Sequence, residues 1–251
     1  MKTVFNWITT LIYLPFFLFY LLIYELFARI SFLLSFQLYS WVIKSMQYLV
    51  IYTLYVTGFR IKFNLQSLAL LPQDTPVVIV SNHQSMFDIP CIILAFHKFH
   101  VNFVAKKELG KNIPTVSFHL RNGGSVLIDR KDSESAIQQI ARLGKHIEAR
   151  KEAACIYPEG TRSRNGILKE FKKGGFITLM ENAPSAWVVP VIIKNTYKIV
   201  QYGMLPIPTG IKVKVSTLLP LQRENFESLA TMLTEIENQI KEILNPVPRM
   251  L

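Results

Sequence analysis

The residues most able to do chemistry lie between Ser81 and Pro90, directly after the apolar run Val77 to Val80. This segment holds one imidazole, His83, and one carboxylate, Asp88. An imidazole with an ordinary pKa of about 6.5 can accept a hydroxyl proton near neutral pH, and a carboxylate on its second nitrogen fixes the tautomer and stabilises the imidazolium. The pair therefore predicts a general base and the group that orients it.

The spacing of the two residues decides how they can meet. On a continuous helix, residues five apart are separated by about 140° around the axis, so His83 and Asp88 would point in different directions. They can meet if His83 lies in a loop and Asp88 begins the next helix, where Pro90 is tolerated in the first turn and a carboxylate suits the dipole. A histidine at a strand end is also often an ordinary hydrogen-bonded residue, and this segment alone leaves that alternative open.

Three further groups of polar residues follow apolar runs that have the length of buried strands. Lys106 follows one run, Arg130 follows a second, and a third opens into Pro158-Glu159-Gly160-Thr161-Arg162. Guanidinium groups and a hydroxyl beside a glycine turn suit a phosphomonoester, because they offer paired donors and backbone that can approach closely. Other basic residues fit a solvated surface at least as well: Lys107, Arg164 and Lys169.

Composition favours a protein that works at a membrane surface. Half of the 251 residues are hydrophobic and the formal net charge is +11, a combination unusual for a purely soluble protein. Nucleic acid would also explain the charge, but the sequence has no zinc-ligand spacing, recognition-helix signature or aromatic-basic RNA motif. Cys91 and Cys155 lie in apolar stretches and predict neither a disulfide framework nor a metal site, which favours the reducing cytosolic side.

The N-terminal part of the chain, residues 1–57, predicts a membrane-associated helical segment. Thr3 to Tyr24 carries no charge and is long enough to cross a hydrocarbon core of roughly 30 Å, although Pro15 is expected to kink it. No cleavage pattern of a removable signal peptide follows. A second apolar stretch, Ile30 to Thr57, is interrupted by Lys44 and Gln47 and predicts an interfacial or half-buried helix. A spanning anchor, a hairpin dipping into one leaflet and a pair of core helices all remain open.

Residues 58–251 predict an α/β domain that begins at Gly58. Near-continuous apolar runs alternating with helical patterns indicate a mixed, largely parallel sheet of about seven strands flanked by helices. The predicted strands are Phe59 to Asn64, Val77 to Ser81, Val101 to Ala105, Ser125 to Asp129, Ala153 to Tyr157, Val188 to Ile193 and Ile211 to Ser216. The clearest helices are Ser133 to Lys151 and Glu224 to Leu244. Functional sites of such sheets gather at the carboxyl ends of the strands.

These blocks together resemble the glycerolipid acyltransferase family, and within it the 1-acylglycerol-3-phosphate acyltransferases most closely. Four motifs carry the resemblance in order: Asn82 to Asp88; Lys106 to Leu109 with Gly124 to Arg130; Tyr157 to Ser163 with Phe171 to Gly174; and Val189 to Val191. They cover about residues 76 to 193. One position departs from the family pattern: where members commonly carry glycine four residues after the isoleucine of an Ile-Pro step, Ile113-Pro114 leads to Ser117.

The resemblance implies transfer of an acyl group from a thioester, carried by coenzyme A or acyl carrier protein, to the sn-2 hydroxyl of lysophosphatidate. His83 would be the general base and Asp88 its orienting group, so that no acyl-enzyme is needed. Amides around Gly160 are candidates to hold the oxyanion, and Glu159 would brace the loop or the acceptor. The phosphate would be held by four side chains: Lys106, Arg130, Thr161 and Arg162. No metal or bound cofactor is implied, and the active site would face the cytoplasm at the membrane.

Several alternatives stay open at this point. The acceptor could be another lysolipid or glycerol-3-phosphate, and a hydrolase with the same base would release free fatty acid. A non-catalytic membrane adaptor has little use for His83 and Asp88. The sequence leaves open the acyl-chain length, the donor carrier and the oligomeric state.

Overall fold

The computed structural model describes residues 2–245 and contains seven strands and seven α-helices within them. The strands are β1 (Arg60–Asn64), β2 (Val77–Ser81), β3 (Val101–Lys106), β4 (Val126–Ile128), β5 (Ala153–Ile156), β6 (Trp187–Lys194) and β7 (Lys212–Thr217). The helices are α1 (Lys2–Leu34), α2 (Phe36–Thr53), α3 (Asp88–Ala95), α4 (Val116–Asn122), α5 (Ser133–Arg150), α6 (Lys173–Glu181) and α7 (Leu229–Leu244). The last six residues of the second predicted domain, 246–251, lie outside the described residues.

The strands form one sheet in the order β1-β7-β6-β2-β5-β3-β4. Every neighbouring pair is parallel except β6 and β7, which are antiparallel. This confirms the predicted mixed, largely parallel sheet. Strand β2 is central, with Val77 opposite Ala153 of β5 and Trp187 of β6. The carboxyl end of β2 therefore lies between the carboxyl ends of β5 and β6.

The strand pattern divides the hydrophobic core between the two faces of the sheet. Val77 and Ile79 belong to a buried cluster with residues of α2 and α3, whereas Val78 and Val80 belong to a second cluster with residues of α5, α6 and α7. Successive side chains of a strand point to opposite faces, so a run without polar residues must be covered on both sides. The continuous apolar run of β2 follows from this arrangement.

The helix boundaries confirm the predicted start of α5 and correct the predicted start of α7. Helix α5 begins at Ser133 as predicted, because the Asp132 side chain accepts a hydrogen bond from the Ser135 amide at 3.0 Å. The last helix was expected from residue 224 but begins at Leu229, because Ser228 and Thr231 form a capping box there. Helix α3 begins at Asp88 as expected, whereas α4 and α6 were not among the predicted helices.

The two N-terminal helices differ in extent from the predicted segments. Helix α1 continues past Tyr24 to Leu34, and Pro15 lies inside it without ending it. The helix ends there, and the hydroxyl of the next residue, Ser35, accepts a hydrogen bond from the Leu38 amide and caps α2. Helix α2 packs back against α1, and Ser45 donates a hydrogen bond to the Tyr24 hydroxyl at 3.2 Å. The separation of α1 from α2 follows from the N-cap at Ser35, which cannot be recognised from the apolar pattern alone.

Helix α1 presents polar residues to the protein and apolar residues outward. The Asn6 side chain accepts from the amide and the hydroxyl of Thr209, both at 2.9 Å, and the Thr10 hydroxyl accepts from the Ile207 amide at 2.8 Å. Exposed side chains on the rest of the helix include Phe5, Leu11, Leu18, Leu22 and Phe27. Among residues 2–245, α1 is the one helix long and apolar enough to cross a membrane.

Helix α2 is more strongly buried than α1 and joins the same cluster as the sheet. Met46, Val50 and Ile51 in its second half pack in the buried cluster that contains Val77 and Ile79 of β2. The boundary at residues 57 and 58 stays a prediction from sequence, and Gly58 lies there in the left-handed conformation with φ of 73°.

Candidate active site

The predicted contact between His83 and Asp88 is present. The Nδ1 atom of His83 lies 2.7 Å from Oδ2 of Asp88, and the Asp88 side chain is fully buried while that of His83 is 13% exposed. The same Oδ2 accepts the backbone amides of Gln84 at 2.6 Å and Ser85 at 2.9 Å. His83 lies in the loop after β2 and Asp88 begins α3, which is the arrangement in which their spacing was predicted to let them meet.

One face of the His83 ring is covered by the Tyr157 ring. The two rings are stacked, with centroids 4.1 Å apart and planes 18° from parallel. Tyr157 directly follows β5, the parallel neighbour of β2, so the sheet register brings the two rings together. Because Nδ1 faces Asp88, the free ring nitrogen is Nε2, which has no hydrogen-bond partner among the described residues. The arrangement leaves Nε2 available as a base.

The loop after β5 holds the backbone of His83 on both sides. The Glu159 carboxylate accepts from the His83 amide through Oε1 at 2.6 Å, and the amide and hydroxyl of Ser163 donate to the His83 carbonyl at 2.7 and 2.9 Å. Glu159 Oε2 also accepts from the Lys169 amide at 3.0 Å. Burial raises the pKa of the Glu159 carboxyl, and these two amides and His83 oppose the rise. In this structure Glu159 braces two loops, and its contact with an acceptor stays a prediction.

Asn82 fixes the same loop to β6. Its side-chain amide donates to the Ile193 carbonyl at 2.9 Å, and its side-chain carbonyl accepts from the Ile193 amide at 2.8 Å. These two bonds are the same donor and acceptor pair that one strand residue offers to another. Among side chains, only asparagine and glutamine offer a donor and an acceptor in this form. The asparagine before the histidine therefore has a structural role.

Three guanidinium groups lie within electrostatic reach of one another beside this loop. Burial lowers the pKa of Arg162, the positive charges of Arg164 and Arg130 lower it further, and the negative charge of Asp88 raises it. Arg162 is half-buried, and its neighbours form an open groove. That groove is lined by Thr161, Arg162, Arg164, Asn165 and Lys169. An anion placed there would meet several donors at once.

The turn at Gly160 joins the groove to Glu159. Gly160 has φ of 68°, in the left-handed region that favours glycine, and its amide donates to the Tyr157 carbonyl at 3.0 Å. That amide is therefore occupied within the turn. The role of the surrounding backbone as an oxyanion site stays a prediction.

Lys106 and Arg130 lie farther along the same edge of the sheet. Lys106 ends β3 and pairs with Glu108 at 2.9 Å, and Arg130 is exposed two residues after β4. Among residues 2–245, no hydrogen bond or ion pair joins either residue to His83 or Asp88. Their contact with a phosphate stays a prediction.

The departure from the family pattern at Ser117 has a local explanation. The Ser117 hydroxyl accepts from the Ile113 amide at 3.0 Å and donates to the Leu109 carbonyl at 2.9 Å. The side chain thus closes the turn that leads into α4, a contact that glycine would lack.

Two contributors to the site have no local sequence signal. Ser163 belongs to a quoted motif, but nothing in the sequence predicts its bonds to the His83 carbonyl. Thr196 lies two residues beyond β6 and contacts Asp88 through its hydroxyl. Only the strand order, which places β6 beside β2, would have indicated that this region meets the His83 loop.

Comparisons with known proteins bear on this geometry. Residues 62–194, which are 133 of the 251 residues, match the Acyltransferase family model. A chloroplastic 1-acyl-sn-glycerol-3-phosphate acyltransferase of Arabidopsis thaliana is 33% identical over 171 residues, which are 67% of this chain and 46% of that protein. The human 1-acyl-sn-glycerol-3-phosphate acyltransferase beta is 31% identical over 157 residues, which are 62% of this chain and 51% of that protein.

One solved structure has the same fold over its full length. The crystal structure of the 1-acyl-sn-glycerophosphate acyltransferase PlsC from Thermotoga maritima matches with a TM-score of 0.77 at 23% identity and covers 100% of both chains. The chain spans about half the length of the curated relatives that it matches. The family match covers the strands and loops that carry His83, Asp88 and Arg162. This chain therefore belongs to the acyltransferase family.

Proposed function

We propose that the protein transfers a fatty acyl group from an acyl thioester to the sn-2 hydroxyl of 1-acyl-sn-glycerol-3-phosphate, which makes phosphatidic acid for phospholipid biosynthesis. The observation that carries the proposal is the His83–Asp88 pair, with Nε2 free, in a loop that Ser163 joins to the segment that forms a basic groove. A free base suits a hydroxyl nucleophile, and the groove suits an acceptor with a phosphate. The names of the curated relatives give the same acceptor.

In the proposed reaction Asp88 holds the proton on Nδ1, so that the lone pair of His83 lies on Nε2. His83 removes the proton of the acceptor hydroxyl while that oxygen attacks the thioester carbonyl. The tetrahedral intermediate collapses, the carbon–sulfur bond breaks, and the proton passes from His83 to the leaving thiolate. The products are a new ester and a free thiol. Because the acceptor itself attacks, no acyl-enzyme forms.

The phosphate of the acceptor is assigned to the basic groove. Arg162 is the principal ligand, because a guanidinium offers two parallel donors to phosphate oxygens and because Arg162 lines the groove and is near enough to Asp88 for their charges to interact. Thr161, Lys106 and Arg130 supply further donors from the same edge of the sheet. No metal or bound cofactor is assigned a role in this reaction.

Helix α1 is assigned to the bilayer, where a water-insoluble acceptor resides. Its outward apolar face would lie among lipid chains, while Asn6 and Thr10 hold it to the catalytic domain. The active site would face the cytoplasm, where acyl-coenzyme A or acyl carrier protein supplies the thioester. The free cysteines Cys91 and Cys155 are both buried, which suits a reducing compartment.

The test is an assay of the full chain in lipid vesicles with a panel of acceptors and donors. We expect phosphatidic acid from lysophosphatidate with either acyl-coenzyme A or acylated acyl carrier protein, and at most about a hundredth of that rate from His83→Ala in the same vesicles. Faster acylation of glycerol-3-phosphate or of a zwitterionic lysolipid would overturn the proposed acceptor. Release of free fatty acid at the same rate without any acceptor would indicate a thioester hydrolase instead.

A further inference from the structure

Thr196 is a buried residue whose hydroxyl contacts Asp88, and the proposed reaction gives it no role. It lies two residues beyond β6, after Asn195 in the left-handed conformation with φ of 72°. Strand β6 lies parallel to β2, and Val191 of β6 is opposite Ser81 at the carboxyl end of β2, so that β6 extends past that end. The turn at Asn195 therefore directs the chain back across the His83 loop, and Thr196 is completely buried there.

The two oxygens of Asp88 are engaged very differently. Oδ2 accepts from three donors: His83 Nδ1, the Gln84 amide and the Ser85 amide. Oδ1 has one partner among the described residues, the Thr196 hydroxyl at 2.5 Å. That hydroxyl also lies 3.3 Å from Gln84 Oε1, but its single proton favours the nearer and charged acceptor.

The backbone of Thr196 is fixed independently of its hydroxyl. Its amide donates to Gln84 Oε1 at 3.1 Å, and Gln84 is itself buried within the His83 loop. A change of the hydroxyl alone would therefore leave the backbone held in place. This separation makes the hydroxyl testable.

We infer that Thr196 is a positioning residue for the acyl transfer, whose hydroxyl holds Asp88 so that Oδ2 faces His83 Nδ1; this rests on the proposed function of His83 as the base. A carboxylate can rotate about its last carbon–carbon bond, and the three contacts of the oxygen that faces His83 survive only if the carboxylate keeps its present plane. The bond at Oδ1 fixes that rotation from the opposite side. It also keeps a buried carboxylate oxygen from being left without a donor.

Loss of the Thr196 hydroxyl has a predictable sign in a pH profile. A donor to an ionised carboxylate stabilises its negative charge. Without that donor, the coupled His83–Asp88 pair holds its proton more tightly, so a higher pH is needed to free the base. The acid limb of the rate profile should therefore move to higher pH. A merely structural defect would lower activity without moving that limb.

The experiment compares Thr196→Val, which keeps the shape and removes the hydroxyl, with Thr196→Ser, which keeps the hydroxyl. For the full chain in vesicles with lysophosphatidate and acyl-coenzyme A, we expect Thr196→Val to lower kcat about ten- to a hundredfold. We expect KM for the acceptor to stay within about twofold and the acid limb to rise by about half a pH unit or more. Thr196→Ser should restore both. Thr57→Val, which removes another buried threonine hydroxyl, is the matched control and should behave like wild type.

A second readout does not depend on the substrate. In protein labelled with ¹⁵N-histidine, the His83 ring resonances, assigned by their loss in His83→Ala, should titrate at higher pH in Thr196→Val and as in wild type in Thr196→Ser. Unchanged titration and an unchanged acid limb in Thr196→Val would overturn the inference, as would failure of Thr196→Ser to restore them. Failure of the wild-type protein to make phosphatidic acid would instead contradict the proposed function, and the ring titration would still decide the role of Thr196.

Discussion

The residue that the proposed reaction depends on most is His83. Its Nε2 is free while its Nδ1 is held by Asp88, so we expect His83→Ala to lower turnover by roughly 10²- to 10⁴-fold while the protein still folds and binds vesicles. Asp88→Asn should cause a smaller but still large loss, because the imidazolium loses its counter-charge. The measurement is phosphatidic acid formed per minute in vesicles, with circular dichroism to check the fold.

Tyr157→Phe is the matched control for these losses. It keeps the ring stacked on His83 and should stay within about threefold of the wild-type rate, because stacking depends on the ring. More than a tenth of wild-type turnover in His83→Ala would contradict the role of His83 as general base. A wild-type rate in Asp88→Asn would mean that the pair does not act together.

Arg162 tests where the acceptor phosphate binds. A bidentate guanidinium–phosphate contact is geometrically specific, and hydrogen bonds to charged groups contribute about 1.5 to 3 kcal/mol. Arg162→Lys keeps the charge but loses the paired donors, so we expect KM for lysophosphatidate to rise roughly ten- to a hundredfold. KM for the donor should change much less.

Arg164→Lys is the comparison for Arg162→Lys, because Arg164 lines the same groove but is exposed. We expect its KM for lysophosphatidate to stay within about threefold of wild type. If Arg162→Lys leaves that KM intact, or raises only the KM of the donor, then the groove binds the donor phosphates or only shapes the loop.

Part of the site can be predicted from local sequence, and the rest depends on the order of the strands in the sheet. The contact of His83 with Asp88 could be predicted, because their spacing excludes a continuous helix and suits the junction of a strand and a helix. The contacts of Ser163 and Thr196 could not, because each depends on which strand lies beside β2. Strand order depends on packing across the whole sheet, so it cannot be predicted from the types of single residues.

At the scale of elements, the seven strands were predictable because their apolar runs are bounded by polar or turn residues. All seven appear in the structure with boundaries within one or two residues. Helices α4 and α6 are short, with seven and nine residues, and neither begins with a side-chain cap that a sequence pattern would reveal. The start of α7 at residue 224 is predicted too early, because the capping box of Ser228 and Thr231 begins the helix at Leu229.

The packing of α2 against α4 predicts a dependence of stability on pH. His119 on α4 is buried and lies with Nδ1 2.8 Å from the Tyr39 hydroxyl of α2. Burial, together with the positive charge of the nearby His100, lowers the pKa of His119 to about 3. In the unfolded chain the same imidazole binds a proton below about pH 6.5. The unfolded state therefore binds more protons between about pH 6.5 and pH 3, so the free energy of unfolding falls as the pH falls through that window.

The measurement is the thermal midpoint of the detergent-solubilised protein between pH 7 and pH 4. One proton limits the slope to about 1.4 kcal/mol per pH unit, and we expect His119→Gln to show a shallower decline than wild type. His97→Gln makes the same change at an exposed position and should decline like wild type. Equal slopes in wild type and His119→Gln would show that His119 is not the group responsible.

At the scale of the whole molecule, the N-terminal helix reverses the usual distribution of residues. In a soluble protein, a helix buries its apolar face and exposes polar groups. Here α1 buries Asn6, Thr9 and Thr10 against the protein and exposes most of its leucines and phenylalanines. The apolar composition of residues 1–57 could be predicted from the sequence, but this reversal could not, because it depends on the loop at residues 207–209.

That reversal predicts how the protein can be released from membranes without unfolding it. Lysine at three outward positions of α1, in the triple variant Phe5→Lys, Leu11→Lys and Leu18→Lys, places charges where lipid chains are expected, and each should cost about 2 kcal/mol or more. We expect flotation with phosphatidylglycerol vesicles to fall by at least tenfold, together with the rate on vesicle-embedded lysophosphatidate. The rate on detergent-dispersed acceptor should fall much less, because none of the three side chains contacts the His83 loop.

Leu219→Lys changes an equally exposed leucine beyond β7, at the opposite edge of the sheet; it is the control and should float like wild type. Undiminished flotation of the triple variant would show that α1 does not dock on the bilayer.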